Sequence, residues 1–360
     1  SWGEVPMLIQ AQGYAKNDYQ LTSYDILYRT PRQHIGGCLW HSFDHQRGYH
    51  PDPFYGGIMD AFRQPKLSYY MFCSQRPAEP NKELIADNGP MVYIANAMTP
   101  FSPKDVTVYS NCDEVRLTYC KGGKQYTYHK PANEAGMPSP VIMFKDVFDV
   151  MHDKKLARQN KQADSYLLAE GIMNGKVVVT HKVTPARRPV KLLLWADDEK
   201  VQMKADGSDI VTIIAAIADE NGNIKRLNNY TIKFQVEGEG RILGGANNLA
   251  NPASVRWGTA PVLIQSTLKP GKIKITASVL FEGSQMPSSA VLELESKPGT
   301  FPQIYSQEES AFIPTFTGQG TNSLTLKSET QLEKERLQKA KNAEKLKEVE
   351  QQQEEFGEKK

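Results

Sequence analysis

The alternation of apolar and polar residues with a period of two constrains the fold of this chain more than any other feature. Between residues 91 and 184 the apolar runs are short, and a Gly122-Gly123 turn joins two of them as a hairpin. Residues 191–280 repeat the pattern, with turns of Asp, Asn and Gly between the runs. Short strands with a turn about every 8–12 residues are typical of an immunoglobulin-like β-sandwich. We therefore predict two such sandwiches, over residues 77–186 and 187–298.

The first 76 residues carry a different pattern. A short apolar run at residues 6–11 predicts a strand, and residues 19–29 are compatible with a helix. Residues 35–40 predict a second buried strand, and Pro65 suits the first position of another helix. Strand–helix–strand–helix is the repeating unit of a parallel sheet. Two such units cannot cover a sheet or close a barrel, so we expect this segment to end a larger α/β domain.

The carboxyl-terminal residues, 299–360, read as a linker and a charged tail. Glu and Lys alternate from Glu329 onward, and the interspersed apolar residues do not keep a heptad. This pattern favours a solvated helix or a disordered tail over a coiled coil.

Bulk properties exclude several classes of partner. The chain has 360 residues and a formal net charge of +2, and its Lys and Arg residues form no basic stripe, so we expect no nucleic-acid partner. No apolar run approaches the roughly 20 residues of a membrane-spanning helix. The residues Ser1-Trp2-Gly3-Glu4 do not resemble a signal peptide. We nevertheless expect a parent protein that is exported (periplasmic, cell-surface or secreted), with its signal further upstream.

The densest group of chemically capable side chains follows the second predicted strand. It contains Trp40, His41, Asp44, His45 and Arg47. Barrel enzymes place their active sites at the carboxyl ends of their strands, and a flat indole there can stack on a pyranose ring. The alternative is that Trp40 packs in the core while Asp44 and His45 cap a loop. The histidines lack the helical spacing of a metal site, so we predict neither a metal nor a cofactor.

Aromatic residues in the predicted sandwiches allow two interpretations. Trp195, Trp257 and the Asn247-Asn248 turn are compatible with a carbohydrate-binding face. Structural use in a core or a turn is the simpler interpretation, because such residues are ordinary in sandwiches.

Two segments near the predicted site resemble glycoside hydrolase family 2, which includes β-galactosidases, β-glucuronidases and β-mannosidases. The first is Gly36-Gly37-Cys38-Leu39-Trp40-His41-Ser42-Phe43-Asp44-His45, and the second is Gly57-Ile58-Met59-Asp60-Ala61-Phe62-Arg63-Gln64-Pro65-Lys66. Residues 205–209, 218–222 and 236–247 resemble the trailing sandwich of the same family. The resemblance is to a carboxyl-terminal portion, covers about residues 1–298 and leaves the tail unmatched. It implies that residues 1–76 are the last two βα units of a (β/α)8 TIM-barrel catalytic domain.

The resemblance also implies a retaining reaction carried out by two glutamates, one as acid/base and one as nucleophile. In the family the acid/base follows barrel strand four, which this chain does not contain. The nucleophile ends strand seven, which matches residues 6–11 and places Gln12 at its position. An amide cannot attack an anomeric carbon, so either Gln12 silences the enzyme or the register differs. Trp40 matches the family's aromatic beneath the sugar subsite, and His41, Asp44, His45 and Arg47 would line the substrate pocket.

The expected function is therefore that of the carboxyl-terminal part of a retaining, β-galactosidase-like glycoside hydrolase. Its substrates would be β-galactosides or related β-glycosides of oligo- or polysaccharides, and its structural partner would be the remainder of the barrel. The alternative is a non-catalytic carbohydrate-binding protein, or a structural spacer, built from immunoglobulin-like sandwiches.

Overall fold

The computed structural model describes residues 2–16, 23–31, 33–50, 53–84, 88–131, 136–198, 200–281 and 286–299, together with 330, 333, 334, 336–338 and 341. Its four named helices are α1 (Glu4–Ala15), α2 (Tyr24–Arg29), α3 (Leu67–Cys73) and α4 (Val150–Arg158). Within the described ranges, no helix has the length and apolar character needed to cross a membrane.

Strands make up most of the regular structure. In chain order they are β1 (Val92–Ala95), β2 (Val106–Ser110), β3 (Glu114–Tyr119), β4 (Gln125–His129), β5 (Ile142–Phe144), β6 (Leu167–Met173), β7 (Lys176–Val183), β8 (Lys191–Ala196), β9 (Met203–Ala205), β10 (Ile210–Ala218), β11 (Thr231–Gly238), β12 (Gly240–Ile242), β13 (Ala253–Ser254), β14 (Thr259–Ser266), β15 (Gly271–Val279) and β16 (Ala290–Pro298).

The chain divides into two compact units. The first comprises Ser1–Pro189, Ala218–Asn228 and Arg256–Gly258, and the second comprises Val190–Ile217, Asn229–Val255 and Thr259–Lys360. Two short segments from the second half of the sequence therefore belong to the first unit.

The first unit contains a two-sheet sandwich. One sheet has the strand order β1-β2-β5 and the other has the order β4-β3-β6-β7, with antiparallel pairing throughout. Alternation along β3 buries Val115 and Leu117, and these pack with Val106 and Val108 of β2 in one apolar cluster. Period-two burial of this kind is what packs one face of an antiparallel sheet against a core.

The second unit is a larger sandwich with sheet orders β12-β14-β10-β8 and β13-β11-β15-β16-β9. In β11 the side chains of Ile232, Phe234 and Val236 are buried, while the residues between them face outward. Phe234 lies opposite Ala277 in the ladder, and Val236 lies opposite Ile275. Both sheets contribute to one apolar cluster, so the alternation recognised in the sequence forms the core of this unit.

The predicted strand at residues 6–11 is wrong, because these residues lie inside helix α1. Met7, Ala11 and Ala15 are buried, and their spacing of four residues places them on one face of a helix. They pack with Leu67 and Met71 of α3. Pro6 is tolerated because the first four N–H groups of a helix have no partner within the helix.

The predicted strand at residues 35–40 is also absent. These residues have no strand partner among the described residues, and Ile35 is fully exposed. A β-ladder needs a neighbour to accept its hydrogen bonds, and an apolar run alone cannot supply one. The helix predicted at residues 19–29 is present as α2, and the helix predicted from Pro65 begins at Leu67.

The β-rich sandwich architecture is confirmed. The barrel end rests on the resemblance alone, and most of the predicted tail lies outside the described residues. The sequence reasoning also missed six short or weakly patterned strands, which are β5, β6, β9, β12, β13 and β16.

Candidate functional site

The predicted site residues lie in a loop, residues 33–66, that is held by side chains rather than by a ladder. Asp44 is buried, and its Oδ1 accepts hydrogen bonds from Lys66 Nζ at 2.6 Å and from Gly57 N at 2.9 Å. Lys66 is also fully buried and donates to the carbonyl of Tyr55 at 3.0 Å. Asp44 was predicted to line a substrate pocket, but the structure turns it inward as an anchor of the loop.

Helix α1 supports the same loop from its polar face. Gln10 Nε2 donates to the carbonyls of Tyr55 and Gly57, each at 3.1 Å, and Tyr14 OH donates to the carbonyl of Gly56. Gly57 has no room for a side chain, since a Cβ there would lie 2.3 Å from the backbone nitrogen of Asp44. The loop therefore has a defined shape although it contains no strand.

Four rings gather on this loop, and we call them the aromatic cluster: Trp40, His41, His45 and Phe54. The His41 and His45 ring centroids lie 4.4 Å apart, and Trp40 lies 6.0 Å from His45. Phe54 lies 5.2 Å from His41, and a backbone bridge pairs it with His45. The structure thus brings together three of the predicted residues that sequence spacing alone left apart.

Trp40 is the exposed member of the cluster, with 73% of its surface accessible. The alternative that Trp40 packs in the core is therefore wrong. An indole that is supported at its edge by imidazoles and is open on its surface is suited to stacking on an apolar ring face.

Arg47 joins the cluster through its guanidinium group. The guanidinium carbon lies 5.3 Å from the centroid of Phe54 and 5.7 Å from that of Tyr49, distances typical of cation–π contacts. Two buried nitrogens here, His41 Nε2 and Arg47 Nε, have no hydrogen-bond partner in the described part of the chain. Because His41 Nδ1 contacts the carbonyl of Phe43 and must donate to it, Nε2 of the neutral ring is an acceptor.

Gln12 does not belong to this group. It lies on helix α1 and is exposed, so its interpretation as the residue that ends a barrel strand is wrong. The error came from reading a helical apolar run as a strand. Once the run is a helix, the alternation that aimed Gln12 into a barrel lumen no longer applies.

Two important residues were missed in the sequence. Phe54 completes the aromatic cluster, and Lys66 compensates the charge of Asp44. Lys66 stands in the segment that carried the family resemblance, and a lysine after Pro65 near a conspicuous Asp60 offered a signal. Among the described residues, no group of three metal-ligating side chains is arranged to hold an ion. The site as it stands offers stacking and hydrogen bonding to a ligand.

Comparisons with known proteins agree with this arrangement. Residues 194–281 match the model of glycoside hydrolase family 2 C-terminal domain 5. The chain is 30% identical over 262 residues to a beta-galactosidase of Thermoanaerobacter pseudethanolicus, covering 70% of this chain and 33% of that protein. It is 26% identical over 259 residues to a beta-galactosidase of Bacteroides ovatus, covering 68% of this chain and 27% of that protein. The chain thus spans about a third or less of these relatives.

Solved structures show the same fold. A beta-glycosidase from Bacteroides vulgatus superposes with a TM-score of 0.51 at 23% identity, covering 71% of this chain and 30% of that one. A beta-glucuronidase from glycoside hydrolase family 2 superposes with a TM-score of 0.53 at 20% identity, covering 80% and 30%. The strands thus belong to the sandwich class that accompanies glycosidases. The chain carries a carboxyl-terminal portion of glycoside hydrolase family 2.

Proposed function

We propose that this chain works within a longer retaining glycoside hydrolase that acts on β-galactosides or related β-glycosides of oligo- or polysaccharides. The observation that carries the proposal is the exposed indole of Trp40, supported by His41 and His45 on a loop of fixed shape. The names of the matched relatives, beta-galactosidases, support a β-galactoside as the first substrate to test.

In this proposal, residues 1–76 close a (β/α)8 barrel and the loop forms one wall of its sugar subsite. Trp40 stacks on the sugar ring, while His41, His45 and Arg47 hydrogen-bond its hydroxyls. Retention requires two carboxylates about 5 Å apart, one as nucleophile and one as acid/base. Since Gln12 is an exposed helical amide, we place both carboxylates in the remainder of the barrel. Asp44 and Lys66 keep the loop in position.

The test is Trp40→Ala in the intact protein, assayed on a panel of nitrophenyl β-glycosides that begins with the galactoside. Loss of stacking should cost about 2 kcal/mol of transition-state stabilisation, roughly thirty-fold in kcat/KM. Phe101→Ala is the matched control, because Phe101 is also an aromatic residue with most of its surface exposed but lies in the first sandwich. Its kcat/KM should equal that of the unaltered protein.

Two results would count against the proposal. Equal kcat/KM for Trp40→Ala and the unaltered protein would remove Trp40 from the sugar subsite. An intact protein that binds glycans but hydrolyses none of the panel would favour the non-catalytic carbohydrate-binding alternative.

A further inference from the structure

A second polar cavity lies within the first unit, away from the aromatic cluster. Its volume is about 220 Å³, far above the roughly 10–15 Å³ that one water molecule needs. Glu4 of helix α1, Tyr93 of β1, His181 of β7, Arg226 and Trp257 line it, and all five belong to the first unit. None of these residues takes part in the proposed sugar subsite.

Arg226 is the cation of this cavity, and no carboxylate forms an ion pair with it among the described residues. Its Nη1 donates to the carbonyl of Trp257 at 3.1 Å, and its guanidinium carbon lies 5.9 Å from the Trp257 ring centroid. Burial lowers the pKa of Arg226, against the smaller raising effects of Tyr93, Tyr70 and Glu4. A buried charge is normally paired, so this guanidinium is suited to an anion from outside the chain.

Glu4 does not fill that role, although it lines the same cavity. Its two carboxylate oxygens accept from Ala97 N at 2.8 Å and from Ser102 Oγ at 2.5 Å. Burial raises the pKa of Glu4, and the hydrogen bonds and Arg226 offset this only in part. A second carboxyl so close would repel a multiply charged ligand. The cavity therefore favours a monoanion over a phosphate dianion.

His181 adds a neutral donor. Its Nδ1 accepts from Ile94 N at 2.9 Å, so the ring proton lies on Nε2, which has no partner in the described ranges. Burial lowers the pKa of His181, which keeps the ring neutral near pH 7. The ring is also fixed by stacking on Tyr93, with centroids 4.7 Å apart. Arg226 and His181 thus present donors from two different segments of the unit.

We propose that this cavity binds a small monocarboxylate of up to monosaccharide size. The carboxylate pairs with the Arg226 guanidinium, a hydroxyl or ring oxygen accepts from His181 Nε2, and the ring of the ligand contacts Trp257. A bidentate guanidinium–carboxylate pair supplies both affinity and orientation.

The test is calorimetric titration of the 360-residue chain with D-glucuronate, D-glucose and inorganic phosphate. Glucuronate should bind, while glucose and phosphate should bind at least tenfold more weakly. Arg226→Gln should weaken glucuronate binding at least tenfold, and Arg226→Lys, which keeps the charge, should weaken it less. Arg116→Gln is the matched control, because it removes an arginine of the same unit that is paired with Glu170. It should bind glucuronate as the unaltered chain does.

Thermal unfolding of each variant shows whether it is folded. If Arg226→Gln does not fold, Arg226→Lys and His181→Gln decide, and each should bind more weakly than the unaltered chain. Absence of glucuronate binding, equal binding of glucose, or unchanged affinity in the folded Arg226 variants would overturn the proposal. So would loss of binding in Trp40→Ala, since that result would assign the ligand to the aromatic cluster.

Discussion

The loop at residues 33–66 and the sandwich of the second unit hold their shapes by different means. The sandwich uses continuous ladders and an apolar core, in which Phe234 and its neighbours are almost completely buried. The loop has only isolated bridges, and two buried carboxylates, Asp44 and Asp60, bind its backbone N–H groups. The comparison teaches that polar anchors beneath a loop can leave an aromatic surface open to ligand, whereas an apolar core needs its aromatic residues inside.

The largest effect should follow from Phe234→Ala in the sandwich. The substitution removes a buried ring and leaves a cavity between two paired strands, which should lower the free energy of unfolding by about 4 kcal/mol. Urea unfolding followed by circular dichroism measures it. Phe281→Ala is the control, because Phe281 lies in the same unit and is 70% exposed; it should change little. Similar losses in the two variants would mean that burial does not decide stability here.

Lys66→Ala tests the loop in the same way and should have the next largest effect. It leaves the carboxylate of Asp44 buried without its cation, which should cost about 3 kcal/mol. We place the cost at the low end of the range for broken buried pairs because a loop can open to water more easily than a core. The transition of the first unit in urea should shift while that of the second does not.

Two companion variants sharpen this result. Lys145→Ala breaks the exposed pair with Asp105 and should leave the transition almost unchanged, because solvent screens that pair. Asp44→Asn combined with Lys66→Met removes both charges and should recover part of the loss. If the double variant is less stable than Lys66→Ala, charge compensation is not the function of Lys66.

The same contrast explains what the sequence could predict. Alternation within β11 and β15 is local, so the sandwich strands could be recognised from single segments. The pairing of Asp44 with Lys66 spans 22 positions and leaves no periodic signal. The Arg226 cavity is assembled from distant segments, and no short motif marks it. Helix α1 was missed because its apolar run at residues 6–11 is short enough for either structure, and only its packing against α3 decides.

Resemblance helped where geometry was absent, but only residue by residue. It singled out Trp40, which the structure leaves exposed among imidazoles. It also placed Gln12 at a strand end that is in fact a helix. A motif with several fixed residues transferred correctly, whereas a position reached by counting along an assumed strand did not.

The smallest effect concerns Asp60, and it asks whether every polar anchor of the loop needs its charge. Asp60 Oδ1 accepts from Phe62 N and Gln64 N, each at 2.8 Å, and Oδ2 accepts from Gln64 Nε2 at 3.0 Å. Burial raises the pKa of Asp60, the hydrogen bonds lower it less, and nearby Asp44 raises it further. Asp60→Asn keeps an accepting oxygen, and the Gln64 amide can turn to meet the new NH₂ group.

The sign of the pH dependence follows from the raised pKa. Between the unfolded value, about 3.9, and the higher folded value, the native state binds more protons than the unfolded state, so stability falls as pH rises. Asp60→Asn lacks this loss. Its stability relative to the unaltered chain should therefore increase across that window and then stay constant, with a total change of at most about 1 kcal/mol. Asp105→Asn is the control of opposite sign, because hydrogen bonds from Lys145 and Asp146 lower the pKa of Asp105. That variant should lose relative stability as pH rises. Urea unfolding at several pH values measures both slopes, and equal signs would show that burial does not govern Asp60.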